Sequence, residues 1–339
     1  MRMTSLPTEV KIDILKFFNF EELFLIKQSN RYFNDFIDKY EGEFARMELS
    51  RISIVDIDNF NSNVDYKLIK PEVRNFDLPL DGEWVDERLE EKWKTALVEP
   101  IPLFLHDCES KNHAIFMSKE VEEYYRLLHL PNYITNIDEM KIVRHYLNKI
   151  FNYSFKEASF KLVIFNQLLI ELLFENVKIP IQFYVKEYWI MPKNNNIANL
   201  LKFIWNYLIS KSLTIDFLHI IDAEKYIDIL FKILMNGNRF SEICFNFLGL
   251  PGIFDLVINH IETSNDCSKI VANIKFIDGY LPFKLSKRAV NVEENPDHMN
   301  YYHFIKFQLS NQHNPKIKFS ILYTKFHESI KDIEIKRIK

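Results

Sequence analysis

Four short runs of alternating residues constrain this chain more than any other feature. They are Ile181 to Val185, Leu213 to Phe217, Ile243 to Phe247 and Ala272 to Phe276. Each reads apolar–x–apolar–x–apolar, the period of a strand with one buried face. Their central residues, Phe183, Ile215, Phe245 and Ile274, stand 32, 30 and 29 residues apart. Between them lie runs at helical spacing. Ile197, Leu200, Leu201, Ile204 and Leu208 form one; Tyr226, Ile229, Leu230, Ile233 and Leu234 form a second, behind the candidate cap Asp222. Ile253, Phe254, Val257, Ile258 and Ile261 form a third, opening at Pro251, where proline suits the first helical position. A strand plus a helix at this steady period predicts an α/β body of stacked strand–helix units. An open doubly wound sheet gives the same alternation. The steady period, and the lack of a Gly-rich ligand loop in a chain with 6 Gly, favour the stack. The apolar residues of each run must face the helices. Those between them are expected to point outward in two rows: Gln182, Thr214, Cys244 and Asn273, then Tyr184, Asp216, Asn246 and Lys275. The second row, with an aromatic, an acid, an amide and a base side by side, is the candidate target-binding strip.

The flanks read differently. Phe304 to Leu309, Ile317 to Leu322 and Ile333 to Ile338 predict an antiparallel β cap over residues 286–339, covering an otherwise open sheet edge. Ile101 to Leu105 and His113 to Met117, around the polar tetrad Glu109 to Asn112, predict a hairpin. Val121, Tyr124, Tyr125 and Leu128 predict a helix from Ser118 to Leu130, ended by Pro131. Asn136 and Glu139 have the spacing of a capping box ahead of Met140, Val143, Leu147, Ile150 and Phe151. Residues 58–92 have little apolar periodicity, so 43–98 is expected to be a connector and 99–285 the α/β body.

A hydrophobic content of 47% with 27% charged residues is that of a folded chain. The net charge of −4 makes no global case for nucleic acid. Charge is unevenly placed: residues 41–100 carry 8 basic against 15 acidic residues, and residues 267–339 carry 13 against 7. Cys108, Cys244 and Cys267 lie too far apart for a disulfide framework and suit a reducing compartment. No signal peptide is expected at the N-terminus, and no apolar run reaches membrane-spanning length. Neither a phosphate-binding glycine loop nor a zinc-protease or nucleophile-elbow motif occurs. His106, Cys108 and His113 lack a fourth zinc ligand. The expectation is therefore a non-enzymatic protein with no cofactor or metal, no nucleic-acid or membrane partner, and a cytoplasmic and/or nuclear location.

Residues 5–40 stand apart from this pattern. Leu6-Pro7 opens a short helix with Val10, Ile14, Leu15 and Phe18 on one stripe. Asn19 breaks it, and Phe20-Glu21-Glu22-Leu23 starts a second helix with acids where the helix dipole favours them. Ser29-Asn30 ends that helix, and Arg31 to Ile37 forms a third. Three helices this short carry more apolar surface than they can bury among themselves.

This order of residues resembles the F-box: the Leu-Pro-x-Glu opening, the Ile-Leu pair, the acidic-acidic-Leu start of helix two and the Arg-aromatic pair of helix three. Tyr32 stands where many F-boxes carry tryptophan. The resemblance covers about a tenth of the chain, residues 1–42. It implies binding to the Skp-family adaptor, and through it to cullin and RING subunits, by Leu6, Pro7, Val10, Ile14, Leu15, Leu23, Arg31 and Tyr32. The body's period resembles leucine-rich-repeat solenoids, without their leucine/asparagine consensus. The combination is similar to the large nematode F-box families. The resemblance implies an α/β protein with an N-terminal three-helix F-box, a strand–helix solenoid and a C-terminal β cap. Its function would be substrate recognition in an SCF-type ubiquitin ligase. A solenoid interaction scaffold whose N-terminal helices only cap it is the alternative.

Overall fold

The computed structural model describes residues 3–60, 65–71, 86–106, 112–119, 125–160, 163–177, 181–247, 251–278, 285–297, 302–326 and 329–338. The fold is mixed α/β, with helices beside a large mixed sheet. The chain divides into two compact units that interleave along the sequence. The first holds residues 1–103, 113–156 and 168–184; the second holds 104–112, 157–167 and 185–339.

The first unit begins with helices α1 (Thr8–Leu15), α2 (Phe20–Ser29) and α3 (Arg31–Lys39). Strands β1 (Met47–Asp56) and β2 (Tyr66–Ile69), helix α4 (Glu87–Ala96) and the two-residue β3 (Ile101–Pro102) follow. The expected connector is thus partly core. Residues 43–98 supply a ten-residue strand and a helix whose Trp93 is fully buried. The indole N–H of Trp93 donates to the Leu172 carbonyl at 3.0 Å. The buried Arg144 guanidinium lies 5.9 Å from the Trp93 ring and 5.4 Å from that of Phe174, and donates to Asn176 Oδ1 at 3.0 Å. Isolated tryptophan and charged residues gave no periodicity to read, yet they anchor α4.

Numbering in chain order, β4 (Phe104–His106) precedes β5 (His113–Ser118), β6 (Tyr125–Leu128) and β7 (Tyr133–Ile134). The expected hairpin does not form. β5 pairs with β1 and with β6, both antiparallel, while β4 pairs with β9 (Val163–Phe165) and β3 with β7. The expected helix from Ser118 to Leu130 is also corrected. Residues 120–124 lie outside the described residues, and 125–128 are a strand, held antiparallel to β5 and parallel to β2. Hydrogen bonding on both edges outweighs a helical spacing seen over only eight residues. Helix α5 (Ile137–Phe151) forms as expected, with Asn136 Oδ1 accepting from the Glu139 N–H at 2.9 Å and Met140, Val143, Leu147, Ile150 and Phe151 buried. In this unit the strand order is β8-β1-β5-β6-β2, where β8 is Tyr153–Ser159; helix α6 (Gln167–Phe174) follows β9 in the chain.

The second unit carries the repeat. Its strands are β10 (Phe183–Ile190, whose first two residues fall in the first unit), β11 (Leu208–Asp216), β12 (Phe240–Asn246) and β13 (Asn273–Ile277), neighbours in chain order. Helices α7 (Ile197–Tyr207), α8 (Ile227–Leu234) and α9 (Pro251–Thr263) connect them. β11, β12 and β13 are parallel, and successive helices pack side by side. A 3-10 turn over Glu224–Tyr226, and not Asp222, leads into α8. The expected strand phase holds. Leu213, Ile243 and Ile274 stand in register, as do Ile215, Phe245 and Phe276, and all are buried. Rings step along the sheet, with Phe217–Phe245 centroids at 6.0 Å and Phe245–Phe276 at 5.6 Å. Gly237, after α8, is required by close approach: a Cβ there would lie 2.7 Å from the Ile270 carbonyl oxygen.

The C-terminal β cap forms. β14 (Val290–Asp297), β15 (Tyr302–Ser310), β16 (Lys318–Phe326) and β17 (Ser329–Ile338) are successively antiparallel, and β17 lies antiparallel on β13. Two polar side chains fasten it. The buried Asn311 donates to the Ile261 and Ser264 carbonyls at the end of α9, at 2.9 and 2.8 Å. Arg337 donates to the carbonyls of Cys267, Ser268 and Ile270 at 2.8, 2.8 and 2.9 Å.

The polar face of the sheet departs from expectation at Cys244 and Asp216, which are both buried; Asp216 Oδ1 accepts the Leu218 N–H at 2.9 Å. Asp216→Ala should therefore lower stability by about 1–2 kcal/mol, while the exposed Lys211→Ala stays within about 0.5 kcal/mol. Urea unfolding of the two variants checks this; equal midpoints would place Asp216 outside the packed structure.

Candidate docking surface

The N-terminal helices are built around a small core of their own. Leu15, Leu23, Phe36, Ile37 and Phe44 are buried together, with Met3, Ile12, Phe18, Ile26 and Tyr40 packed against them. Local signals set the helix ends. Pro7 occupies the cap position of α1, one residue before the helix. Asn19 ends the α1 turn and caps α2 in a full capping box: its Oδ1 accepts the Glu22 N–H, and its own N–H donates to Glu22 Oε2, both at 2.9 Å. Asn30 Oδ1 accepts the Phe33 N–H at 3.0 Å, starting α3.

A buried lysine joins α1 to α3. The Lys11 ammonium donates to the Tyr32 hydroxyl and lies 5.2 and 5.0 Å from the ring centroids of Tyr32 and Phe36. Tyr32 also stacks on Phe36 at 6.0 Å and meets Phe33 edge-on at 5.4 Å. Held on three sides, it keeps 39% of its surface exposed. Such a fixed aromatic costs little ordering entropy on binding.

The expected contact residues divide into two groups. Pro7, Val10, Arg31 and Tyr32 are exposed, and Leu6 and Ile14 are half-buried. Leu15 and Leu23 are buried, which corrects the expectation for both: three short helices need them as their own core. Arg31 projects beside Asp35, 3.8 Å away. Sequence reasoning missed three strongly exposed side chains: Phe17 at 89%, Leu25 at 66% and Phe24 at 49%. Phe17 lies two residues past the end of α1, in a turn where its N–H donates to the Ile14 carbonyl at 3.2 Å. The signal was the adjacent pair Phe17-Phe18, of which only one could reach the core.

The expected strip on the repeat sheet is not one row. Tyr184 belongs to the first unit, where the Arg46 guanidinium lies 4.0 Å from its ring centroid. In the second unit Asp216 does oppose Asn246, but Asn246 opposes Ile277, and Lys275 instead opposes Cys244 and Glu334. Asn273 opposes Glu242, two residues from the place expected. The offset arises because β13 advances two residues against β12 relative to simple alignment of the runs. Lys275 lies 3.2 Å from Glu242 and 3.9 Å from Glu334, and Asn273 donates to Glu242 at 2.6 Å, so these polar groups serve one another.

Cys244 is buried, and burial pushes its thiol up to about 11, only partly offset by Lys275. It is a neutral thiol at neutral pH. Of the histidine–cysteine cluster weighed from sequence, Cys108 lies outside the described residues. His113 is buried, its backbone N–H and C=O both engaged by the Asn132 amide at 3.1 and 3.3 Å. Among the described residues no helix is long and apolar enough to cross a membrane.

Core and surface of the helices should respond oppositely to truncation. Leu15→Ala should destabilise the three helices by about 2–5 kcal/mol, raising amide exchange throughout them. Phe17→Ala should leave exchange there unchanged. Slow exchange in the Leu15 variant would show that this small core is not what holds the helices.

Residues 69–218 match the model of a family described as a domain of unknown function (DUF8381). The match starts at the end of β2 and finishes just past β11, outside the three N-terminal helices. No curated protein and no solved structure matches the chain.

Proposed function

We propose that this chain is the substrate-recognition subunit of an SCF-type ubiquitin ligase. Its N-terminal helices act as an F-box that docks on a Skp-family adaptor, and through it on cullin and RING subunits. The observation that carries the proposal is the division within those helices. Leu15, Leu23, Phe36 and Ile37 are buried together with Phe44, while Pro7, Val10, Phe17 and Tyr32 remain exposed. Several large apolar side chains left exposed on so small a module favour a protein-binding surface. The F-box-like order of residues says which partner fits it.

The rest of the chain then presents a target. Parallel strands in chain order, with helices packed side by side, support a leucine-rich-repeat-like solenoid, closed by the C-terminal cap. No bond-making is assigned to this chain. It raises the local concentration of target near the conjugating enzyme. Such a role suits a cytoplasmic or nuclear location.

Titration calorimetry of the full chain with purified Skp adaptor tests this. The wild type should bind, and Val10→Asp with Phe17→Asp should weaken binding by at least about 30-fold, the loss of one hot spot or more. Because both residues lie outside the small core, the melting temperature should hold. Wild-type affinity in the double variant, or no binding by the wild type, would overturn the F-box assignment.

A further inference from the structure

The C-terminal cap closes the edge of β13 and ends in an edge of its own. β14 pairs with β15 on one side and, among the described residues, has no strand on the other. Such an edge is a row of unpaired N–H and C=O groups, a template for one more strand. β14 is also open on both faces. Every side chain from Val290 to Asn295 is exposed, although Ile305 and Phe307 of the adjoining β15 are buried. The packing that buries the inner row of β15 therefore does not reach β14. This eight-residue strand is held by its ladder to β15, with little burial of its own.

Three features restrict what can pair there. The register shifts between Val290 and Glu293, around Asn291 with a φ of 54°, so the strand bulges near its start. Pro296 has no N–H to offer near the other end. Between them, Glu293 and Glu294 point to opposite faces, one across from Lys306 and the other across from Ile305. Neither carboxylate makes an ion pair or hydrogen bond among the described residues, Lys306 included. The strand itself carries no lysine or arginine. A second copy of β14 laid over the same residues would set carboxylates against one another, and like charges directly opposite disfavour pairing. A strand with cations at the facing positions gains what the copy loses.

We infer that β14 binds an extended segment of a partner protein, which adds to the sheet as a further strand. Two adjacent lysine or arginine residues of that segment face Glu293 and Glu294, and an apolar residue beside them lies against the exposed Val292. Backbone pairing supplies the affinity, and the cations select the partner. Strand addition here does not require the N-terminal helices to dock on an adaptor.

Fluorescence anisotropy with the full chain tests the inference. The probes are fluorescein-labelled peptides of alternating valine and threonine around a central lysine–arginine pair. Matched controls replace that pair by two glutamates, or N-methylate alternate backbone amides in one phase or the other. The basic peptide should bind, and the acidic one should be weaker by at least about tenfold. The two N-methylated peptides should differ by at least about tenfold, because a strand pairs with its neighbour through alternate amides. Glu293→Lys with Glu294→Lys should reverse the preference between basic and acidic peptide at an unchanged melting temperature. Glu187→Lys, at an exposed acid of β10, should leave the preference as it is. Amide exchange should slow in residues 290–295 when peptide binds and stay unchanged in β11. Failure of the basic peptide to bind, equal affinity of the two N-methylated forms, or an unmoved preference in the reversed chain would overturn the inference. So would a wild-type dimer with residues 290–295 protected before any peptide is added, which would give the edge to a second copy. The chain with Val10→Asp and Phe17→Asp should still bind peptide. If the wild type binds peptide but no adaptor, the ligase reading falls and the edge stands; if it binds adaptor but no peptide, the edge falls and the ligase reading stands.

Discussion

Two rows of apolar side chains across the repeat sheet fix the second unit. Leu213, Ile243, Ile274 and Ile335 form one, and Ile215, Phe245, Phe276 and Ile333 the other, each in register from strand to strand. Burial of each such side chain stabilises by roughly 1.5–3 kcal/mol, and a one-residue slip of any strand would turn its row to the wrong face. The same constraint decides what can be added at the end. β17 continues both rows with Ile335 and Ile333, so the antiparallel cap is a continuation of the core and not a lid placed over it. Arg337 and Asn311 then satisfy the carbonyls left where β13 begins and α9 ends.

What the sequence made legible follows from this. A strand buried on one face writes period two into its own residues, and β11, β12, β13, β15, β16 and β17 were all visible that way. Pairing partners were not. Ile101 to Met117 looks like a hairpin because two apolar runs flank a polar tetrad, but β5 finds β1, more than fifty residues earlier. Tyr125 and Leu128 fit a helical stripe as well as a strand, and only pairing on both edges decides between them. Register across the sheet was equally hidden: strand phase shows which side chains share a face, not which stand opposite, and so Lys275 was set beside the wrong neighbour.

The N-terminal helices show the same limit in miniature. Their apolar residues outnumber the places in a core, which was plain from the sequence. The sequence does not say which are spent inside. Leu15 and Leu23 went to the core, and Phe17, Phe24 and Leu25 went to the surface. A module of about forty residues sits near the lower limit for independent folding, so any surface left apolar there weakens solubility without helping stability. Lys11 shows how firmly that surface is held. Buried between α1 and α3, it holds the exposed Tyr32 in place through both its ring and its hydroxyl.

The proposed docking places the adaptor on these helices and not on the repeat. Amide hydrogen exchange of the full chain, with and without saturating purified Skp adaptor, tests it most directly. Docking predicts slower exchange across residues 8–39 and unchanged exchange in β11, β12 and β13. Unchanged exchange across residues 8–39 at saturation, or protection confined to the repeat strands, would contradict it.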